Sequence, residues 1–275
     1  MSGGSPGGRI RLGVVSDVHW DASGQLEASW HNPFDFAGVP GRLDRALVVF
    51  ADAEVDAVVA LGDLTHDGDE ESTRQVVDRW SAARGPVVAV AGNLDCLQRD
   101  DQLERCCGAG VGFLGGSGID VGGLRVSGVA IASDAGAFCS KPDPAHEHAD
   151  VLLSHFPVLS RADRITGRGL AYSGDLLDQA QLAERAGRRE RPLLVLSGHL
   201  HVRESHADGP VLQLAAGALV EAPFEVAIVE VAAGPSGARV RRRVVGLGPS
   251  AGERDPVFAP AEETWTYDGR WRCLP

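Results

Sequence analysis

Five apolar runs in this chain stop abruptly on residues that ionise or bind metals. They are "RIRLGVVSDVH" (9–19), "AVVALGDLT" (57–65), "VVAVAGNLDC" (87–96), "DVLLSHFPV" (150–158) and "RPLLVLSGHLH" (191–201). Each has the length and β-branched content of a buried strand. The first three are separated by helical patterns. "GRLDRALVVFADAEVD" (41–56) places Leu43, Ala46, Leu47 and Phe50 on one face, and "DEESTRQVVDRWSAARG" (69–85) opens on acidic residues and closes on glycine. A β-α-β-α-β order predicts parallel strands joined by right-handed crossovers. Successive parallel strands end at the same edge of a sheet, so the polar endings are expected to gather in one place.

Beyond residue 96 the alternation breaks down. "LRVSGVAIASD" (124–134) reads as a strand with no helix after it, and the loop "SRADRITGRGLAYSG" (160–174) precedes a helix over 175–187. Runs at 211–216, 224–232 and 238–247 read as antiparallel strands. Within the last, "RVRRR" (239–243) alternates as an edge strand would, its charges discouraging edge pairing. The expectation is a flexible leader over 1–8 and one α/β domain over 9–247, with two sheets face to face and helices outside. An irregular tail over 248–275 is expected to be packed back by Trp265 and Trp271.

Composition narrows the function classes. The chain has 275 residues, 44% of them hydrophobic, with no run of about 18 apolar residues that would span a membrane. Its opening, "MSGGSPGGR", lacks the apolar core of a signal peptide, which points to the cytoplasm. Cys96, Cys106, Cys107, Cys139 and Cys273 show no regular spacing, so reduced thiols are expected rather than a disulfide framework or a cysteine-rich zinc site. A net charge of −12 argues against a binder of nucleic-acid backbone.

Taken singly, an aspartate after a strand is a turn former and a lone histidine a surface residue. As a set, the endings offer Asp17, His19, Asp63, Asn93, His155, His199 and His201. Seven ligands are too many for one tetrahedral ion and suit two ions sharing a carboxylate. Mixed imidazole and oxygen donors favour Mn, Fe or Zn over Ca or Mg. No G-x-S-x-G elbow, Walker loop or dinucleotide glycine fingerprint competes with this reading.

The ordered motifs D-x-H, G-D, G-N-x-D, strand-H and G-H-x-H resemble those of the calcineurin-like metallophosphoesterases, from about residue 10 to about residue 232. The resemblance implies a four-layer α/β/β/α sandwich and two divalent ions, with Mn the ion of choice in vitro. It implies that Asp17, His19 and His201 hold the first metal, that Asn93, His155 and His199 hold the second, and that Asp63 bridges them. Asp63, Asn93 and His199 would then serve catalysis directly. The implied chemistry is attack on phosphorus by an activated water, with a small phosphorylated metabolite or nucleotide as substrate.

One position departs from the family. The third motif usually reads G-N-H before its acid, and here it is Gly92-Asn93-Leu94-Asp95. Leucine can neither hold a phosphate nor protonate a leaving oxygen, a role worth roughly 10²–10⁴-fold in rate. His66 and His31 are the candidate replacements, each with a solvent-exposed loop histidine as its alternative. Asp95 joins the catalytic group as the partner that orients a ligand. Residues 20–36 either form a wall over the metals that stacks on an aromatic substrate, or pack the first helix on the sheet through Trp30, Phe34 and Phe36. Arg161, Arg164 and Arg168 either reach a phosphate or stay in solvent, and the histidines of "AHEHAD" (145–150) fall near the opposite edge of the sheet. Two other functions remain open: a protein phosphatase of the same family, and a non-catalytic scaffold on the same fold, which Leu94 favours.

Overall fold

The computed structural model describes residues 7–23, 26–98, 101–107, 111–134, 136–141, 144–234, 237–249 and 252–275. Most of the expected leader therefore lies outside the described residues, and Gly8 already opens the first strand. The chain begins with β1 (Gly8–Val15), α1 (Val39–Asp52), β2 (Ala57–Ala60), α2 (Glu70–Trp80) and β3 (Val87–Ala89). β1 pairs parallel with β2, and β2 with β3, as the alternation predicts. α1 buries Leu43, Ala46 and Phe50, the face marked by its spacing. α2 starts where Asp69 accepts hydrogen bonds from the backbone N–H groups of Glu71 and Ser72, both at 2.9 Å. It stops at Trp80, short of Gly85, because Ala82 and Ala83 donate to carbonyls three residues back and tighten the chain into turns.

The chain continues through α3 (Gln102–Cys106), β4 (Val111–Phe113), β5 (Gly118–Val121) and β6 (Leu124–Gly128), then β7 (Ile131–Asp134) and β8 (Ala137–Ser140). After these come β9 (Val151–Ser154), α4 (Ala162–Thr166), α5 (Gln179–Gly187) and β10 (Leu193–Ser197). The last elements are β11 (Glu204–Asp208), β12 (Val211–Ala215), β13 (Glu225–Gly234), β14 (Gly237–Gly246), β15 (Glu262–Tyr267) and β16 (Trp271–Leu274). Eight strands form one sheet in the order β16-β15-β14-β13-β1-β2-β3-β4, and six form another in the order β11-β12-β10-β9-β6-β5.

The two sheets share one apolar cluster. It takes Ile10, Leu12, Val14, Val59 and Val229 from the first and Val126, Leu153, Leu194, Leu196 and Leu214 from the second, so the sheets pack face to face. A second cluster takes neighbouring residues of the same strands (Val15, Val58, Val87, Leu152, Leu193 and Val195) together with the apolar sides of α1, α2 and α5. This is the mixed α/β architecture the sequence predicts. Among the described residues no helix is long and apolar enough to cross a membrane, and Cys107, Cys139 and Cys273 are free thiols.

Three expectations change. The run at 211–216 is not antiparallel to the two that follow it. It is β12, parallel to β10 in the other sheet and antiparallel to β11, while β13 and β14 do pair antiparallel. The tail is not irregular throughout, because β15 and β16 form a hairpin that extends the first sheet beyond β14. "RVRRR" is therefore an interior strand. Arg242 is buried there and needs a partner, which the tail supplies: Arg242 Nη2 lies 2.6 Å from Glu263 Oε1. Trp271 packs the hairpin on the body as expected, buried and donating its ring N–H to the Pro210 carbonyl at 2.8 Å.

Candidate metal centre

β1, β2, β3, β9 and β10 deliver their C-terminal ends to one edge, and the polar endings converge there. Where the strands stop, the chain turns sharply. Asp17, His19, Asp63, His199 and His201 all have positive φ, between 47° and 66°. Only two other non-glycine residues among those described share that conformation, Glu54 and Phe224. Such backbone costs about 1–3 kcal/mol per residue and persists where the surroundings enforce it. In Asp-Val-His and His-Leu-His the left-handed turns at both i and i+2 bring the two outer side chains into one site. Gly92 permits the close approach of two strand ends, since a Cβ there would lie 2.1 Å from Asp63 Oδ1.

The side chains form two halves about Asp63. In one, His19 Nε2 lies 3.2 Å from His201 Nε2, and His201 Nε2 lies 3.3 Å from Asp17 Oδ1. In the other, His155 Nε2 lies 3.0 Å from Asn93 Oδ1. Asp63 turns Oδ1 to His155 Nε2 at 3.4 Å and Oδ2 to His19 Nε2 at 3.8 Å. Ligand atoms of Asp17, His19 and His201 all lie within 4.8 Å of one another, as do those of Asp17, Asp63 and His155. Both carboxylates thus stand among the imidazoles, and Asp17 approaches both halves.

Remote ring atoms fix how the imidazoles point. His155 Nδ1 donates to the Leu61 carbonyl at 2.7 Å, which turns Nε2 toward Asn93 and Asp63. His199 Nε2 donates to the Ser173 carbonyl at 2.7 Å, leaving Nδ1 free. His201 Nδ1 donates to Glu221 Oε2 at 2.6 Å, and the other oxygen of Glu221 accepts from the backbone N–H of Asn32. Carboxylate-to-histidine bonds of this kind orient metal-binding imidazoles and raise their basicity.

The charges are those of a cation site. Burial opposes the charge on His201, but Asp17 and Glu221 outweigh it and raise its pKa to about 10. For His155, burial is outweighed by Asp63 and the pKa rises to about 9. Burial pushes His19 down to about 3 and His199 to about 4. Asp17 and Asp63 stay below the usual carboxylate range, because the neighbouring imidazoles overcome the effect of burial. Asp17 Oδ2 is buried without a hydrogen-bond partner. A buried carboxylate oxygen left in that state is costly, and a cation held by Asp17, His19 and His201 would satisfy it. The residues fit two divalent ions.

The remaining sequence candidates sort themselves by contact. Asp95 is a clasp: it accepts from the N–H groups of Leu64 (3.2 Å), Thr65 (3.0 Å) and Gly92 (2.9 Å), tying the Asp63 loop to the Asn93 loop. Burial and the charge of Asp63 raise its pKa to about 6. Leu94 contributes its backbone, whose N–H donates to Asp63 Oδ1 at 2.9 Å. His66 Nδ1 sits 3.1 Å from His19 Nδ1. His31 is buried, not solvent-exposed, with Nε2 donating to the Leu200 carbonyl at 2.9 Å.

Residues 20–36 divide between the core and the imidazoles of the site. Phe36 is buried in the core. Trp30 stands over the His201 and His199 rings at 4.8 and 5.6 Å between centroids, and Phe34 stacks on His201 at 5.4 Å. The arginines of the loop over 160–174 are occupied elsewhere. Arg161 and Arg164 pair with buried Glu204 at 2.8 and 2.7 Å, and Arg168 lies over the Phe258 ring at 4.7 Å. His146 bonds to the Gly128 carbonyl at 3.0 Å, at the C-terminal end of β6 and so not at the opposite edge of the sheet.

Sequence reasoning missed Glu221, Asn32 and the Ser173 carbonyl. Only Glu221 left a signal, a single carboxylate in the apolar stretch "LAAGALVEAPF".

The model of the calcineurin-like phosphoesterase family matches residues 10–203. Among solved structures, a dimetal phosphatase from Danio rerio superposes with a TM-score of 0.62 at 12% identity, over 87% of this chain and 97% of that one. The phosphoesterase Yfce from E. coli gives 0.42 at 14% identity, over 89% and 97% of the two chains. Vacuolar Protein Sorting 29 from Cryptosporidium parvum gives 0.40 at 10%, over 97% and 96%. At such identities the likeness is one of fold. A search of curated proteins found no match.

Proposed function

The chain belongs to the calcineurin-like phosphoesterase family, and from that membership we propose that it hydrolyses a small phosphoester, a phosphorylated metabolite or a nucleotide. The observation that carries this reading is the buried convergence of Asp17, His19 and His201 with Asp63 and His155, in which Asp17 Oδ2 lacks a partner. Two divalent ions, Mn, Fe or Zn, would supply a water of lowered pKa and charge stabilisation for the phosphoryl oxygens. Asp17, His19 and His201 would hold one, and Asn93, His155 and His199 the other, with Asp63 between them.

The chain's own groups set the rest of the chemistry. Asn93 contributes an uncharged oxygen, which limits the negative charge beside an anionic phosphate. Trp30 and Phe34 cover the imidazoles and exclude water from them. Arg161 and Arg164 are committed to Glu204, so neither is spare for the substrate. Leu94 places an apolar side chain where the family has a histidine, which suits esters whose leaving group departs without a proton. Free thiols at Cys107, Cys139 and Cys273 suit a reducing compartment, and the reading includes a cytoplasmic enzyme.

The test is turnover of p-nitrophenyl phosphate and bis-p-nitrophenyl phosphate by metal-free protein reconstituted with Mn²⁺, with Asn93→Ala as control. Nitrophenolate needs no protonation, so Leu94 should not mask activity. Turnover lost in Asn93→Ala supports the reading, and the ratio between the two esters assigns mono- or diesterase. A folded, metal-loaded protein inert to both favours the second reading, a scaffold on a phosphoesterase fold, to which Leu94 also points.

A further inference from the structure

We propose that His66 is a positioning residue of the metal centre, its Nδ1 accepting a hydrogen bond from His19 Nδ1 and thereby holding His19 with Nε2 free for a cation. The proposal rests on the two-metal reading above. It assigns His66 a task different from replacing the histidine missing at Leu94.

Hydrogen-bond arithmetic supports it. The two Nδ1 atoms are 3.1 Å apart, so one hydrogen lies between them and belongs to one ring. If His66 supplied it, neutral His19 would carry its own hydrogen on Nε2. That atom faces Asp63 Oδ2 and His201 Nε2, and a protonated nitrogen cannot bind a cation there. If His19 supplies it, Nε2 keeps its lone pair where Asp17, His19 and His201 converge. His66 then accepts at Nδ1 and carries its own hydrogen on Nε2.

The other three imidazoles follow the same rule. Their remote nitrogens are held by the Leu61 carbonyl, the Ser173 carbonyl and Glu221. His19 is the one whose remote nitrogen meets a side chain that can either donate or accept, and His66 completes the set.

The backbone makes the contact a built one. Past the ends of β1 and β2 the two chains stay bonded: Asp17 N–H donates to the Gly62 carbonyl at 3.2 Å, His19 N–H to Asp63 at 2.9 Å and Trp20 N–H to Leu64 at 2.8 Å. The His66 N–H then returns a bond to the Trp20 carbonyl at 3.2 Å. Asp95 clamps Leu64 and Thr65 immediately before His66. The ring is also packed edge-on to Phe36, 5.0 Å between centroids. His66 is thus fixed against His19 before any ligand arrives.

Mn²⁺ binding is measured by equilibrium dialysis on wild type, His66→Leu and His66→Asn, with urea unfolding of the metal-free proteins as the folding control. Loss of a partner that orients a metal ligand typically costs about 10–100-fold in affinity. His66→Leu should lose that factor at one ion and keep the other. His66→Asn, whose side-chain oxygen still accepts, should recover most of it. In Zn²⁺-loaded wild type, long-range ¹H–¹⁵N correlation should find His19 protonated at Nδ1 and His66 at Nε2.

Wild-type protein that takes up no ion overturns the two-metal reading and this proposal together. Wild type that binds two ions while both variants match it overturns this proposal alone. Unchanged affinity with a selective loss of turnover on an alkyl ester overturns it in favour of proton donation by His66.

Discussion

Glu221 Oε2 lies 2.6 Å from His201 Nδ1, with both side chains buried. Replacing Glu221 by alanine leaves His201 and the Asn32 N–H without their acceptor in a dry site. Breaking a buried, hydrogen-bonded charge pair costs about 3–5 kcal/mol, and metal affinity should also fall about 10–100-fold. Urea unfolding and Mn²⁺ titration of Glu221→Ala measure the two effects. Glu221→Gln, which keeps an acceptor, should show less of each.

Metal binding should release protons. His201 and His155 are raised to about 10 and about 9 without metal, so both carry a proton at neutral pH. A cation needs their lone pairs, so uptake of two ions near pH 7.5 should expel ~2 protons. Affinity should climb with pH until about 9–10, where His155 and His201 are already neutral. The stability of the metal-free protein runs the other way. Its raised histidines stabilise the fold fully below the unfolded value of 6.5, and the contribution is lost as pH rises through about 9 and about 10. Calorimetric titration in two buffers of different ionisation enthalpy counts the protons.

Asp95 should prove structural in effect although it touches no ligand directly. Asp95→Ala strands the N–H groups of Leu64, Thr65 and Gly92. Buried donors left unpaired cost about 1–3 kcal/mol each, so a loss of about 3 kcal/mol or more is expected in urea unfolding. Asn93, two residues away, should be displaced with the loop, so the second metal is expected to bind more weakly.

The tail hairpin should contribute to stability through one of its two neighbouring pairs. Arg242 and Glu263 are 2.6 Å apart and almost fully buried, whereas Arg241 and Glu262 are exposed and 3.3 Å apart. Glu263→Ala should cost about 3–5 kcal/mol, and Glu262→Ala less than about 1 kcal/mol. Equal losses in the two variants would contradict the role given to the hairpin.

The site was legible wherever its residues sit at the end of an apolar run. Strand period and strand exit are local properties, so Asp17, His19, Asp63, Asn93, His155, His199 and His201 announced themselves. Groups that orient those side chains were not legible. Glu221 meets Asn32 across 189 positions of sequence, and no periodicity encodes such a meeting. The same holds for the fold. The parallel order of β1, β2 and β3 follows from their crossovers, but nothing local tells β12 to join β10 or the tail to pair with β14. The arginines of "RVRRR" and of the loop over 160–174 looked like surface charge because Glu263 and Glu204, their buried partners, lie on distant elements.

The most direct measurement is anomalous diffraction from crystals soaked in Mn²⁺, collected near the manganese edge. Two peaks on either side of Asp63 are expected, one against Asp17, His19 and His201 and the other against Asn93, His155 and His199. A single peak, or none at saturating Mn²⁺, would contradict the two-metal account.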